Sequence, residues 1–96
     1  MFIVELTYIQ PLSIVDNFVS EHRAFLERHY ATGQFLLSGR KEPRTGGFIL
    51  ANAASKNALE AILREDPFQH EGIAQYKVTE FLPSMAAPDL VSMLVN

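Results

Sequence analysis

The spacing of apolar residues switches from two to three-and-four and back again, twice along this chain, and that alternation limits the architectures open to it. Phe2 to Tyr8 sets Phe2, Val4, Leu6 and Tyr8 against Ile3, Glu5 and Thr7, with the β-branched and aromatic content of a strand. Pro11 ends it. Between Leu12 and Gly33, the positions Ile14, Phe18, His22, Phe25 and His29 recur at steps of three and four, so on a helix they share one stripe facing the core. Ser13 or Asp16 can cap that helix, and Thr32-Gly33 supplies its stop. Gln34 to Arg40 then reads as a second strand, with Phe35 and Leu37 on one face and Leu36 and Ser38 on the other. Lys41 to Gly47 has turn chemistry, its two glycines serving the turn, and Phe48 to Asn52 completes a hairpin. Ser55 caps a second helix carrying Ala58, Leu59, Ile62 and Leu63 on one side, and Asp66-Pro67 closes it. In the last strand, Ala74 to Leu82, Tyr76 and Val78 alternate with Gln75, Lys77 and Thr79.

The resulting order, β-α-β-β-α-β, is the split pattern of a ferredoxin-like α+β sandwich, in which two helices cover one face of a four-stranded sheet. A chain of 96 residues suits one such domain, placed at residues 1–82, with a tail at 83–96. In that tail Ala86, Ala87 and Pro88 read as a linker, and Leu90, Val91, Leu94 and Val95 as one or two helical turns. The uncovered sheet face is too apolar to leave in water, since it carries Ile3, Leu36 and either Phe48 or Ile49. A homodimer packed sheet on sheet, a dimeric α/β barrel, follows as the expectation, with the tail capping the neighbouring subunit.

Composition removes several functional classes. Eight Lys plus Arg against eleven Asp plus Glu give a net charge of -3, so there is no basic field for a phosphate backbone, and no nucleic-acid partner is expected. With no cysteine, a disulfide framework and a thiolate metal site are both ruled out, which is compatible with a reducing compartment. Met1 to Thr7 lacks a basic leader and holds Glu5 within its apolar run, so neither a signal peptide nor a membrane span is expected and a cytoplasmic location is the default.

The chemistry rests on a few side chains. His22 puts an ionisable ring on the buried side of its helix, and imidazole is the side chain best suited to move protons near neutral pH. The alternative is a core histidine satisfied by backbone or water. Asp66, forced out of the helical region by Pro67, is free to cap the next turn, to orient a histidine, or to do both, since a carboxylate offers about four acceptor sites. If the fold brings the two together, they form an acid/base dyad. His29 fits packing or a dimer contact better than proton transfer, and His70-Glu71 resembles a solvated turn. No third and fourth ligand appears at fitting spacing beside the histidines, so no metal is expected. Arg40, Lys41 and Arg44 form the one basic cluster, either solvated surface or, if the hairpin edges a pocket, a clamp on which Arg40 holds an anionic group.

The run Ser20-Glu21-His22-Arg23-Ala24-Phe25-Leu26, Gly33 before Phe35-Leu36-Leu37-Ser38-Gly39, Gly47 with its strand, and Asp66-Pro67-Phe68 with Gly72 before Tyr76 to Phe81 together resemble the YciI-like (YCII-related) family. The resemblance runs from Phe2 to Leu82 and lies in order and spacing rather than in one long motif. It implies a ferredoxin-like fold, a dimer with a barrel-like core, and a pocket whose active pair corresponds to His22 and Asp66, with Ser38 and Gly39 near its wall. Arg40 stands where many members have proline, a difference at the pocket rim. One branch of the family resembles enzymes that eliminate chloride from hydroxylated, chlorinated aromatic compounds.

The resemblance and the dyad together imply a small cofactor-free lyase or isomerase working on a small organic, enol-like or phenolic substrate, with His22 moving the proton, Asp66 orienting it, and Ser38, Gly39 and Arg40 binding substrate. Three other classes stand beside it: a non-catalytic module that binds a small molecule, an accessory subunit acting through its sheet face, and a dimeric ferredoxin-like monooxygenase that consumes oxygen. Fold alone selects none of them.

Overall fold

The computed structural model describes residues 1–94. Its strands are β1 (Phe2–Tyr8), β2 (Phe35–Arg40), β3 (Gly46–Ala51) and β4 (Ala74–Glu80), forming one sheet in the order β2-β3-β1-β4. Every neighbouring pair is antiparallel. The helices are α1 (Leu12–Val15), α2 (Val19–Ala31), α3 (Lys56–Leu63) and α4 (Pro67–His70). This is a small α+β fold compatible with the ferredoxin-like expectation. Phe2, Val4 and Leu6 of β1 point to one side of the sheet, where they join Phe25, Leu59, Leu63 and Phe68 in the core. Each fully buried side chain of this kind contributes about 1.5–3 kcal/mol.

Local chemistry sets the element ends much as the side chains suggest. Ser55 accepts a hydrogen bond of 3.1 Å from the Ala58 amide and so caps α3. Gly33, with φ of 78°, takes the left-handed position just beyond α2.

Several expectations need correction. The helix expected between Leu12 and Gly33 is broken by a 3₁₀ turn at Asp16–Phe18, which shifts the phase of the apolar stripe. Val15 is therefore buried and Ile14 exposed, while Phe25 and His29 keep the inward direction and His22 lies half-buried. Neither Ser13 nor Asp16 caps α1, whose N-cap is Pro11; Asp16 pairs with Arg44 instead.

In β2 the register shifts between Phe35 and Leu37, so Leu36 is the extra residue of a bulge. Side chains alternate with period two, and one inserted residue returns Ser38 and Arg40 to the helix side, opposite Ile49 and Gly47, while Leu37 turns outward. The open face thus carries Ile3, Leu37 and Phe48, not Leu36 or Ile49.

Gly46 and Gly47 lie inside β3 rather than in the turn. A Cβ at Gly46 would stand 1.8 Å from the Leu6 carbonyl oxygen, and one at Gly47 2.7 Å from that of Gly39, so close strand pairing is what requires glycine here. Finally, β4 ends at Glu80, two residues early, and the tail forms a 3₁₀ segment at Pro88–Met93 that includes Leu90 and Val91. Leu94 follows this segment as its C-cap, and Val95 lies outside the described residues.

Candidate active site

His22 and Asp66, 44 positions apart in sequence, are joined by a 2.8 Å hydrogen bond from His22 Nδ1 to Asp66 Oδ1. α2 presents the imidazole toward the loop between α3 and α4. There Pro67 keeps Asp66 extended, with φ of -72° and ψ of 123°, and then starts α4 itself. Oδ1 of Asp66 also accepts from the Phe68 amide at 3.0 Å, the N-cap bond of α4, and Oδ2 accepts from the Tyr76 hydroxyl on β4. The carboxylate is fully buried. Three donors from three elements replace the water it has lost, the arrangement a buried charge demands.

Tyr76 joins the site without a signal in the sequence to mark it. Burial first, and then the negative charge of Asp66, push its hydroxyl well above the ordinary tyrosine range, so it remains a donor to the carboxylate. Alternation along β4 places Tyr76 on the inner face, but nothing in the local sequence reveals the carboxylate it reaches.

The imidazole lies flat on Phe68, with ring centres 4.0 Å apart and planes 7° from parallel. Its side chain is 15% exposed. Because a carboxylate only accepts, the proton between the two belongs to Nδ1, and Nε2 is left on the opposite edge of the ring. His22 also lines a cavity of about 490 Å³ between α2 and the sheet, whereas Asp66 stands behind it. The pair therefore has one member facing the hollow and one sealed in the protein.

Ser38, Gly39 and Arg40 all line this same cavity, the placement the bulge in β2 permits. The Ser38 hydroxyl is hydrogen-bonded to that of Tyr30. Apolar walls come from Leu6, Val19, Leu26, Ile49 and Phe68. The basic cluster divides. Arg40 and Arg44 reach the cavity, but Lys41 pairs with Glu5 at 2.8 Å and stays away from it. The hydrogen bond that Lys41 donates, and then its charge, hold the Glu5 carboxyl below its usual range. Arg44 is tied to Asp16 at 2.6 Å, fastening the hairpin loop to the 3₁₀ turn.

The remaining histidines sit elsewhere. His29 is wedged between Phe25 and Phe35, ring centres 5.1 and 5.2 Å away, with Nε2 3.2 Å from Glu65 Oε1. His70 lies 3.4 Å from the neighbouring Glu71 on the surface. Among the described residues no three His, Cys, Asp or Glu side chains gather as a metal site requires, and no helix is long and apolar enough to cross a membrane.

Against known proteins, the family model of the YCII-related domain matches residues 1–82. Among solved structures, the chain is similar to the 5-chloro-2-hydroxyhydroquinone dehydrochlorinase of Burkholderia phenoliruptrix AC1100, determined in complex with 2,5-dihydroxybenzoquinone. The TM-score is 0.71 at 20% identity, over 86% of this chain and 95% of the other, a likeness of fold. No curated protein sequence matches.

Proposed function

The chain belongs to the YCII-related domain family, and we propose that it is a small lyase of the dehydrochlorinase type that moves protons with His22 and Asp66 alone, on an enolic or phenolic substrate. The observation that supports this reading is the polarity of the pair: His22 lines the cavity while Asp66, outside its lining, engages Nδ1, which leaves Nε2 as the nitrogen free to act on a bound molecule. A base must come within hydrogen-bond reach of its proton, and the hollow brings a small molecule to that ring.

On a chlorinated hydroxyhydroquinone, the substrate class of the similar structure, the steps balance without an oxidant. Nε2 takes the proton of a ring hydroxyl, and the imidazolium returns it to the carbon that bears chlorine. Loss of a second hydroxyl proton then drives chloride out with the carbon–chlorine electron pair, leaving a hydroxyquinone, a proton and chloride. Asp66 fixes the tautomer and steadies the imidazolium, as the carboxylate does in other His-carboxylate pairs. Arg40, at the cavity rim, supplies the cation that holds an anionic group of the substrate. Ser38 and Gly39 shape the wall beside it.

The same reading makes the active species a cytoplasmic homodimer joined through the open sheet face, where Ile3, Leu37 and Phe48 are 40%, 61% and 44% exposed. The test is chloride release from 5-chloro-2-hydroxyhydroquinone and related halogenated quinols by protein dialysed against chelator, with sedimentation of the same sample. Stoichiometric chloride and hydroxyquinone without oxygen uptake, from a species of twice the chain mass, is the expected result. Oxygen consumption, or dependence on added metal, overturns the reading.

A further inference from the structure

Resting on the reading of this cavity as a substrate site, we propose that the substrate is a small organic carboxylate, its acid group held by Arg23 and Arg40 while His22 acts on a separate hydroxyl. Arg23 follows His22 on α2 and lines the cavity from the helix wall; Arg40 ends β2 on the sheet's helix side and lines it from the strand wall. Arg44 also lines the cavity, but its charge is matched by Asp16. Neither Arg23 nor Arg40 has an ion-pair partner among the described residues, and the lining contains no Asp or Glu. In a chain of net charge -3, the hollow that holds the candidate base is thus a cationic spot.

A neutral phenol needs one donor at the oxygen that becomes charged, and a second guanidinium on the opposite wall exceeds that need. Guanidinium presents a rigid planar fork that fits the two coplanar oxygens of a carboxylate. The flat His22–Phe68 stack beside these forks suits a planar body. A planar acid with one carboxylate and one enol or phenol hydroxyl uses all of these features together. A cationic cavity in an anionic protein also draws such a ligand in, more weakly as salt rises.

The experiment compares two probes that share a ring and differ in charge, 2,5-dihydroxybenzoate and its methyl ester, by ¹H–¹⁵N NMR titration of the full chain at low salt. The acid is expected to bind about a hundredfold more tightly than the ester, about tenfold from each of the two guanidinium forks, and to shift the resonances of Arg23, Arg40 and His22. Arg23→Gln and Arg40→Gln should each lower the acid's affinity about tenfold and the ester's less than about twofold. Equal affinities for acid and ester, equal losses for both in the arginine variants, or no binding of either probe overturns the proposal. His22→Gln separates the two readings. Retained preference for the acid in this variant leaves carboxylate recognition standing even if His22 proves to move no proton.

Discussion

His22→Ala is expected to lower turnover of a chloride-releasing substrate about 10²–10⁴-fold, the usual contribution of a positioned general acid or base. The fold should survive. The ring is mostly sheltered, yet Asp66 keeps the Phe68 amide and the Tyr76 hydroxyl as donors when the imidazole goes. Loss of one charge-assisted hydrogen bond costs about 1.5–3 kcal/mol, which a domain stable by about 5–15 kcal/mol withstands. Thermal melting followed by circular dichroism separates the effects: a cooperative transition with turnover gone is the signature of a proton carrier. Turnover within about twofold of wild type would remove His22 from the chemistry.

Asp66→Ala should destabilise the chain strongly, by about 3–5 kcal/mol in urea unfolding. It removes one carboxylate and strands three donors at once, on α2, at the start of α4 and on β4. Alanine is also a poor N-cap, so α4 loses its starting bond. Asp66→Asn divides structure from chemistry. Its amide oxygen can still accept one of these bonds, so most of the folded population should remain at room temperature, but a neutral side chain no longer demands a proton on Nδ1. Turnover should therefore fall about as far as in His22→Ala, by analogy with other pairs in which the carboxylate sets the tautomer. If Asp66→Asn retains full turnover, the carboxylate is a structural cap and nothing more.

The order of elements was legible because each carries its period plainly: Phe2, Val4 and Leu6 in one strand, Ala58, Leu59, Ile62 and Leu63 on one helix, and Ser55 at that helix's start. The pairing of His22 with Asp66 was expected on two local signals, a polar ring in an apolar stripe and a carboxylate freed by proline, together with the family resemblance. The failures have a common cause. The bulge at Leu36, the break at Asp16–Phe18 and the strand character of Gly46-Gly47 all follow from how strands and helices meet in space, and backbone contacts such as Gly46 against Leu6 leave no mark on periodicity. The same holds for Tyr76 and Arg23. Each reads as an ordinary residue of its element, and only its partner or its wall of the cavity gives it a part in the site.

The central claim is that Asp66 fixes the proton on Nδ1 of His22 and leaves Nε2 as the free nitrogen of a ring that lines the cavity. Long-range ¹H–¹⁵N NMR of the His22 ring in the wild-type chain, at a pH where the ring is neutral, reads this directly without any substrate. A protonated Nδ1 with a pyridine-like Nε2 is the predicted spectrum. A proton resident on Nε2 would contradict the account, because the nitrogen not engaged by Asp66 would then hold no lone pair with which to act as a base.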